Sequence, residues 1–269
     1  MSSSGEVVRV LDVDPDLAES FEPGSEQLGL ARAAAVARVA LVEAGEWNAA
    51  EEYPRSAGHL GLLILDGLLA RTVELGNRSC AELLGPGDFL RPWVLVAAYS
   101  SIPLESHWTV VDPVRVAVLD RSFAGRMSPY PEVVGAILDR VMVRSRWLVF
   151  HLAVCRLKRI ETRLLVVLWH FADRWGRVRR DGVSVPIRVT HQLLSSVIGA
   201  QRPTVTTALG ELRRRGLVER LPDGTWLLHG EPPHELTQLT DRVGGTPYVD
   251  ANASLSDELD DSRAPSSGR

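Results

Sequence analysis

From about residue 25 to residue 125 the chain alternates short apolar runs with turn signals. The runs cover 36–42, 60–65, 68–73, 80–84, 108–111 and 114–119, and the punctuation between them is Asp66-Gly67, Gly76-Asn77, Gly85-Pro86-Gly87-Asp88 and Asp112-Pro113. Many short strands at this spacing predict a β-roll, barrel or sandwich over residues 25–128. Residues 1–24 are polar and acidic, with Pro15, Pro23 and Gly24, and read as a flexible lead-in.

After Pro129 and Pro131 the period changes. Val134, Leu138, Val141, Ser145, Leu148, Leu152 and Cys155 follow one another at steps of four and three, the seam of a coiled-coil-like helix over 129–158. A second stripe, Ile137, Arg144, Trp147 and Val154, faces another way. Two stripes on one long helix call for two surfaces to bury against: the helix's own β domain, and a second copy of the chain meeting Val134, Leu138, Val141, Leu148 and Leu152.

Residues 159–230 form a mixed unit. Leu164, Leu165, Leu168, Trp169 and Ala172 recur at helical spacing and end at Gly176; a polar turn and a strand-like stretch at 183–189 follow. The sharpest pattern is 190–212. Two helices crossing through a tight turn need a small residue at the crossing, a residue tolerant of unusual dihedrals at the turn, and apolar residues only on the inner faces. Ser195, Gly199 and the set Leu194, Ile198, Ala200, Val205, Ala208, Leu209 and Leu212 supply these. Thr190 is placed to cap the first helix, and Pro203 falls in the first turn of the second, where its missing N–H costs nothing. That leaves Gln201, Arg202, Thr204, Thr206 and Thr207 on the outer, N-terminal part of the second helix, the part that enters a major groove in a helix-turn-helix. Arg213-Arg214-Arg215-Gly216 ends this helix, with Arg214 a candidate phosphate contact. Residues 217–228 then read as a hairpin about Asp223-Gly224, which makes the unit a winged helix.

Charge sharpens that reading. Residues 1–155 hold 13 Arg and Lys against 20 Asp and Glu, residues 156–230 hold 14 against 6, and residues 231–269 hold 3 against 8, so the net −4 of the 269-residue chain hides a basic segment between acidic ones. A basic module beside acidic ones is the footprint of a polyanion-binding unit. The acidic end, with Pro232, Pro233 and the run 257–261, is expected to be a disordered tail over 231–269.

Other classes fall away. The longest apolar stretch is about residues 93–99, far below the ~20 residues that span a bilayer, so a cytoplasmic protein without a membrane partner is expected. Cys80 and Cys155 lie far apart, which leaves no four-ligand zinc or iron–sulfur set and no disulfide framework. No G-x-S-x-G, Walker A loop or H-E-x-x-H occurs, and Asp66, Asp88, Asp112 and Asp120 stand at turns for backbone reasons; no catalytic residue, metal or cofactor is assigned, and the chain reads as a non-enzyme.

The order of these parts resembles the Crp/Fnr family of bacterial transcription regulators over roughly residues 30–230. Leu63-Ile64-Leu65-Asp66-Gly67 is similar to the family's apolar strand ending at an acidic-Gly turn, Leu84-Gly85-Pro86-Gly87-Asp88 to its L-G-x-G-D corner, and Gly199-Ala200-Gln201-Arg202 to its reading turn. The resemblance implies an α+β chain: a cyclic-nucleotide-binding-like β-roll, a long dimerisation helix and a C-terminal winged helix-turn-helix. It implies a homodimer on a palindromic duplex operator, with RNA polymerase and a small-molecule effector as candidate partners. By it Arg202 matches a base-reading arginine, Thr204 a backbone contact, and Thr190, His191 and Gln192 residues that touch phosphates. The chain departs from the family where Pro203 replaces a common Glu and Thr207 a common arginine, so a different operator is expected.

Cyclic-nucleotide binders follow the corner with a Gly-Glu pair and an Arg-Ser/Thr-Ala segment. Here Arg91-Pro92-Trp93 follows it and residues 100–105 contain no arginine, so tight cAMP binding is not expected and no ligand residue is assigned. Cys80, Cys155, His59, His107 and His151 are of the types that haem sensors use; lone residues of these types ordinarily serve packing or hydrogen bonding. The alternative to a DNA-binding regulator is a ligand sensor that acts through protein contacts without DNA recognition.

Overall fold

The computed structural model describes residues 5–53, 58–76, 78–92, 105–234 and 236. Residues 1–230 form one compact unit. The expected α+β organisation holds, and the expected acidic tail lies outside the described residues but for 231–234 and 236.

The lead-in differs from expectation. It opens with β1 (Val7–Arg9) and α1 (Val10–Val13), continues through a 3₁₀ turn (Pro15–Ala18) and reaches α2 (Glu26–Ala34). Val10, Leu11, Leu17, Ala18 and Phe21 are buried, packed with Phe123, Met127 and Ile137. The reason is visible in the residues: five apolar side chains spread among acids keep mean hydropathy low while each still finds the core. Ser25 caps α2, its hydroxyl accepting from Leu28 N at 3.2 Å.

Strands β2 (Val36–Val42), β3 (Gly45–Glu46), β4 (Gly61–Leu75), β5 (Arg78–Leu84), β6 (Phe89–Leu90) and β7 (Glu105–Leu119) complete an antiparallel sheet in the order β1-β2-β7-β4-β5, with β3 on β7 and β6 on β4; α3 (Ala49–Glu52) lies between β3 and β4. Two expected turns are not turns. Asp66-Gly67 and Asp112-Pro113 sit inside β4 and β7, opposite each other, where the register shifts between Ile64 and Leu69. Gly67 has φ +90°, and a Cβ there would stand 2.2 Å from Pro113 O. Glycine and proline suit a bulge for the same reasons that they suit a turn: one tolerates positive φ, the other offers no ladder N–H. The Gly76-Asn77 position does join paired strands, with Leu75 opposite Arg78.

Helix α4 (Arg121–Met127), capped by Asp120, leads to α5 (Pro131–Val154). One face of α5 is held by the β domain. Val133, Ile137 and Val154 are buried, Arg140 reaches Asp14 at 2.6 Å, and Arg144 grips the buried Glu82 with Nη2 at 2.5 Å and Nε at 3.1 Å. The heptad face is open: Leu138 is 60% exposed and Leu152 68%, with Val134, Val141 and Leu148 also exposed.

Candidate nucleic-acid interface

Helix α6 (Ile160–Trp175), β8 (Arg177–Arg179) and β9 (Gly182–Val185) open the C-terminal part; α7 (His191–Ile198), α8 (Arg202–Arg214), β10 (Val218–Arg220) and β11 (Trp226–Leu228) close it. The sheet order is β10-β11-β9-β8, all antiparallel. The strand-like stretch at 183–189 is thus shorter than expected, and β8 was not anticipated: Arg-Val-Arg offers one apolar residue, and Val178 is 67% exposed.

Each device read in 190–212 has a local cause in the structure. Thr190 Oγ1 accepts from Leu193 N at 3.1 Å and so satisfies an otherwise unpaired donor of α7. Ser195, buried at the crossing, donates its hydroxyl to Gln192 O at 2.6 Å. Gly199 ends α7 in the left-handed region, φ 64° and ψ 43°, where a side chain costs ~1–2 kcal/mol. The chain then turns, and Ala200 N donates to Ser195 O at 2.9 Å.

Gln201 is the N-cap of α8, and Pro203 stands in its first turn. Val205, Ala208, Leu209 and Leu212 are buried against α6 and α7. Gln201, Arg202, Thr204, Thr206 and Thr207 are all exposed. Thr206 and Thr207 return their hydroxyls to the helix backbone, donating to Arg202 O at 3.1 Å and Pro203 O at 3.2 Å. A helix presented this way has the width to lie in a major groove, with a guanidinium at its leading end.

Thr190, His191 and Gln192 gather beside this face. His191 is half-exposed, and its Nδ1 lies 3.0 Å from Thr206 Oγ1. Partial burial first, and then the cations Arg220 and Arg202, push its pKa below the ordinary histidine value. Arg214 is exposed and pairs along the helix with Glu211. Gly216, at φ 67°, closes the helix end, with Leu217 N donating to Leu212 O at 3.0 Å.

In the hairpin Val218 faces Leu228 and Arg220 faces Trp226. Asp223 accepts from Thr225 N at 2.9 Å and Thr225 Oγ1 at 2.7 Å, bonds that hold its carboxyl below the usual range. Two cations at this end escaped the sequence reading. Arg220 lies over the Trp226 ring, 5.6 Å from its centroid, and Arg188 donates to Asp223 O at 3.1 Å. The sequence offered no signal for Arg220, because strand alternation puts it on the face of the buried Val218 although it is exposed.

Residues 93–104 lie outside the described residues, as does the side chain of Glu105. Among the described residues no three of His, Cys, Asp and Glu gather as a metal site, and no helix is long and apolar enough to cross a membrane. His151 and His170 meet edge to face across the α5–α6 junction, ring centroids 5.5 Å apart, in a cluster with Trp147, Phe150 and Phe171.

Comparison with known proteins follows the same lines. Residues 162–229 match the Crp-like helix-turn-helix domain. The chain is 34% identical over 152 residues to the regulatory protein CysR of Synechococcus elongatus, covering 55% of this chain and 65% of that protein. It is 23% identical over 151 residues to a CRP-like cAMP-activated global transcriptional regulator of Mycobacterium tuberculosis, covering 56% and 66%. It thus spans just under two thirds of the length of these relatives. Among solved structures, a CooA mutant from Carboxydothermus hydrogenoformans is similar in fold at a TM-score of 0.55 and 16% identity, covering 84% of this chain and 93% of that one. FixK2 of Bradyrhizobium japonicum gives 0.54 and 15%, covering 72% and 93%.

Proposed function

We propose that this chain, whose residues 162–229 match the Crp-like helix-turn-helix domain, is a sequence-specific DNA-binding transcription regulator of the Crp/Fnr type that pairs through α5 and reads an inverted-repeat operator. One observation carries this reading. Helix α8 buries one face completely and turns Gln201, Arg202, Thr204, Thr206 and Thr207 to solvent within a segment of strong positive charge. In this proposal Arg202 forks onto guanine O6 and N7, Gln201, Thr206 and Thr207 approach base edges, and Thr190, His191, Gln192, Thr204 and Arg214 meet phosphates. The second copy covers the open heptad face, which sets two α8 helices about one DNA turn (~34 Å) apart.

In this reading the sensor expected at 25–128 takes in the structured lead-in from residue 7, followed by a dimer helix at 129–158 and a reader at 159–230, in a cytoplasmic protein that meets RNA polymerase at its promoters. An effector other than cAMP, held by the roll, would act only through different affinity for two arrangements of the dimer.

Selection of bound duplexes from a random pool tests the reading. A regulator enriches a two-fold symmetric sequence. A sensor that works through protein contacts enriches none.

A further inference from the structure

The contact between α7 and α8 contains a hydrogen-bond chain that runs through the Thr206 hydroxyl. Thr206 has one hydroxyl hydrogen, and the helix places Arg202 O 3.1 Å from its oxygen to receive it. The same oxygen lies 3.0 Å from His191 Nδ1. A Thr206 hydroxyl that gives its hydrogen to this carbonyl accepts from His191, which makes Nδ1 the protonated nitrogen in the arrangement inferred below. A neutral ring then carries a bare lone pair on Nε2, which repels a phosphate oxygen; a ring with both nitrogens protonated offers it a charge-assisted donor.

We infer that His191 is a proton-gated phosphate anchor: its Nδ1–H always fastens the start of α7 to the reading helix, while its Nε2 binds the DNA backbone only after taking up a proton. This rests on the proposed DNA binding and adds to it a dependence on pH. The charged groups that bear on the ring are Arg220 from β10 and Arg202 from α8. Partial burial first, and then these two cations, disfavour the charged ring in the free protein. A phosphate supplies the missing negative charge. The bound state therefore holds more protons than the free state, and affinity rises as pH falls through the bound-state pKa, levelling off below the free-state pKa, which itself lies below the ordinary histidine value.

The experiment uses the full chain and a duplex taken from the random-pool selection, at fixed ionic strength, with fluorescence anisotropy read from pH 8 to pH 5.5 for wild type, His191→Gln and Thr206→Val. Wild type should tighten roughly tenfold for each His191 that gains a proton. His191→Gln keeps an amide donor but does not titrate, and its affinity should not follow pH beyond what other groups impose. Thr206→Val frees Nδ1 and should shrink the wild-type pH response. A ring-nitrogen NMR spectrum of the free protein should show the Nδ1–H form. An equal pH response in wild type and His191→Gln, or an Nε2–H ring in the free protein, overturns the inference while leaving DNA binding in place. Absence of salt-sensitive duplex binding by wild type at every pH overturns the functional reading instead, and the NMR result still judges the tautomer.

Discussion

Asp88, at the corner between β5 and β6, binds Arg174 near the end of α6: Oδ2 stands 2.5 Å from Nη2 and also accepts from Gly85 N at 2.8 Å. The guanidinium lies 4.2 Å from the centroid of the Trp175 ring, and a Cβ on Gly85 would come within 2.8 Å of that indole. One carboxylate thus shapes its own turn and ties the sheet to α6, the helix against which α7 and α8 pack. Ser79 and Ser196, with hydroxyls 2.9 Å apart, and Arg188 and Asp112, at 3.4 Å, join the same two regions.

This contact should show in stability. Arg174→Ala leaves the buried Asp88 its backbone donor but removes the charged one, and urea denaturation should register a loss of about 1–3 kcal/mol. Arg179→Ala breaks only an exposed pair with Asp181 and should change stability by less than ~0.5 kcal/mol. Equal effects would mean that the Asp88 contact contributes nothing particular.

Pairing of two chains should depend on the open face of α5 and not on its covered one. Leu138→Asp removes an apolar contact from each chain, ~1.5–3 kcal/mol apiece, and should weaken dimerisation by roughly 10²–10⁴-fold in sedimentation equilibrium while leaving the far-ultraviolet spectrum intact. Ile137→Asp, at 5% exposure, should unfold the chain instead. A Leu138→Asp protein as dimeric as wild type would rule out this seam.

Acid should destabilise the α5–α6 junction. Burial pushes His170 down to about 3, the neighbouring His151 and Arg174 adding to the effect, and His170 Nδ1 has no hydrogen-bond partner. The unfolded ring takes its proton near the ordinary 6.5, so between that value and about 3 the unfolded chain binds more protons and stability falls with falling pH, at up to about 1.4 kcal/mol per pH unit for this group. His151, also lowered by burial, adds in the same direction. Urea titrations from pH 7 to pH 4 should show this slope, and His170→Leu should reduce it by one proton's worth at little cost at pH 7. An unaltered slope in the variant would assign the acid sensitivity elsewhere.

Two glycines of the α7–α8 unit should respond in opposite ways. Gly199→Ala forces a Cβ into a left-handed position and should cost ~1–2 kcal/mol. Gly210 lies inside α8, and a Cβ there would meet nothing within 4 Å, so replacement by Ala should gain ~0.5–1 kcal/mol. Thermal melts of the two variants give both signs directly.

How far the sequence carried can be judged from these residues. The α7–α8 turn was legible because each requirement there falls on a short, local pattern: Thr190, Ser195, Gly199, Pro203. Both stripes of α5 were legible because a helix repeats its faces regularly. Strand ends were not, because Gly67 and Pro113 serve a bulge with the same dihedral and donor properties that serve a turn. The lead-in misled through composition, since Leu11, Leu17 and Phe21 are too sparse to raise its hydropathy yet suffice to anchor it. Arg174–Asp88 and His191–Thr206 depend on contacts across the fold, which periodicity does not encode.

The most direct test of the whole account is competition binding of wild type, Arg202→Ala and Arg214→Ala against the selected duplex and its single-base variants, at two salt concentrations. Arg202→Ala should lose about 1–3 kcal/mol on the selected site and relax preference at one base pair per half-site, while Arg214→Ala weakens all duplexes alike and flattens the salt dependence. An Arg202→Ala protein with the wild-type sequence preference would contradict the assignment of α8 as the reader.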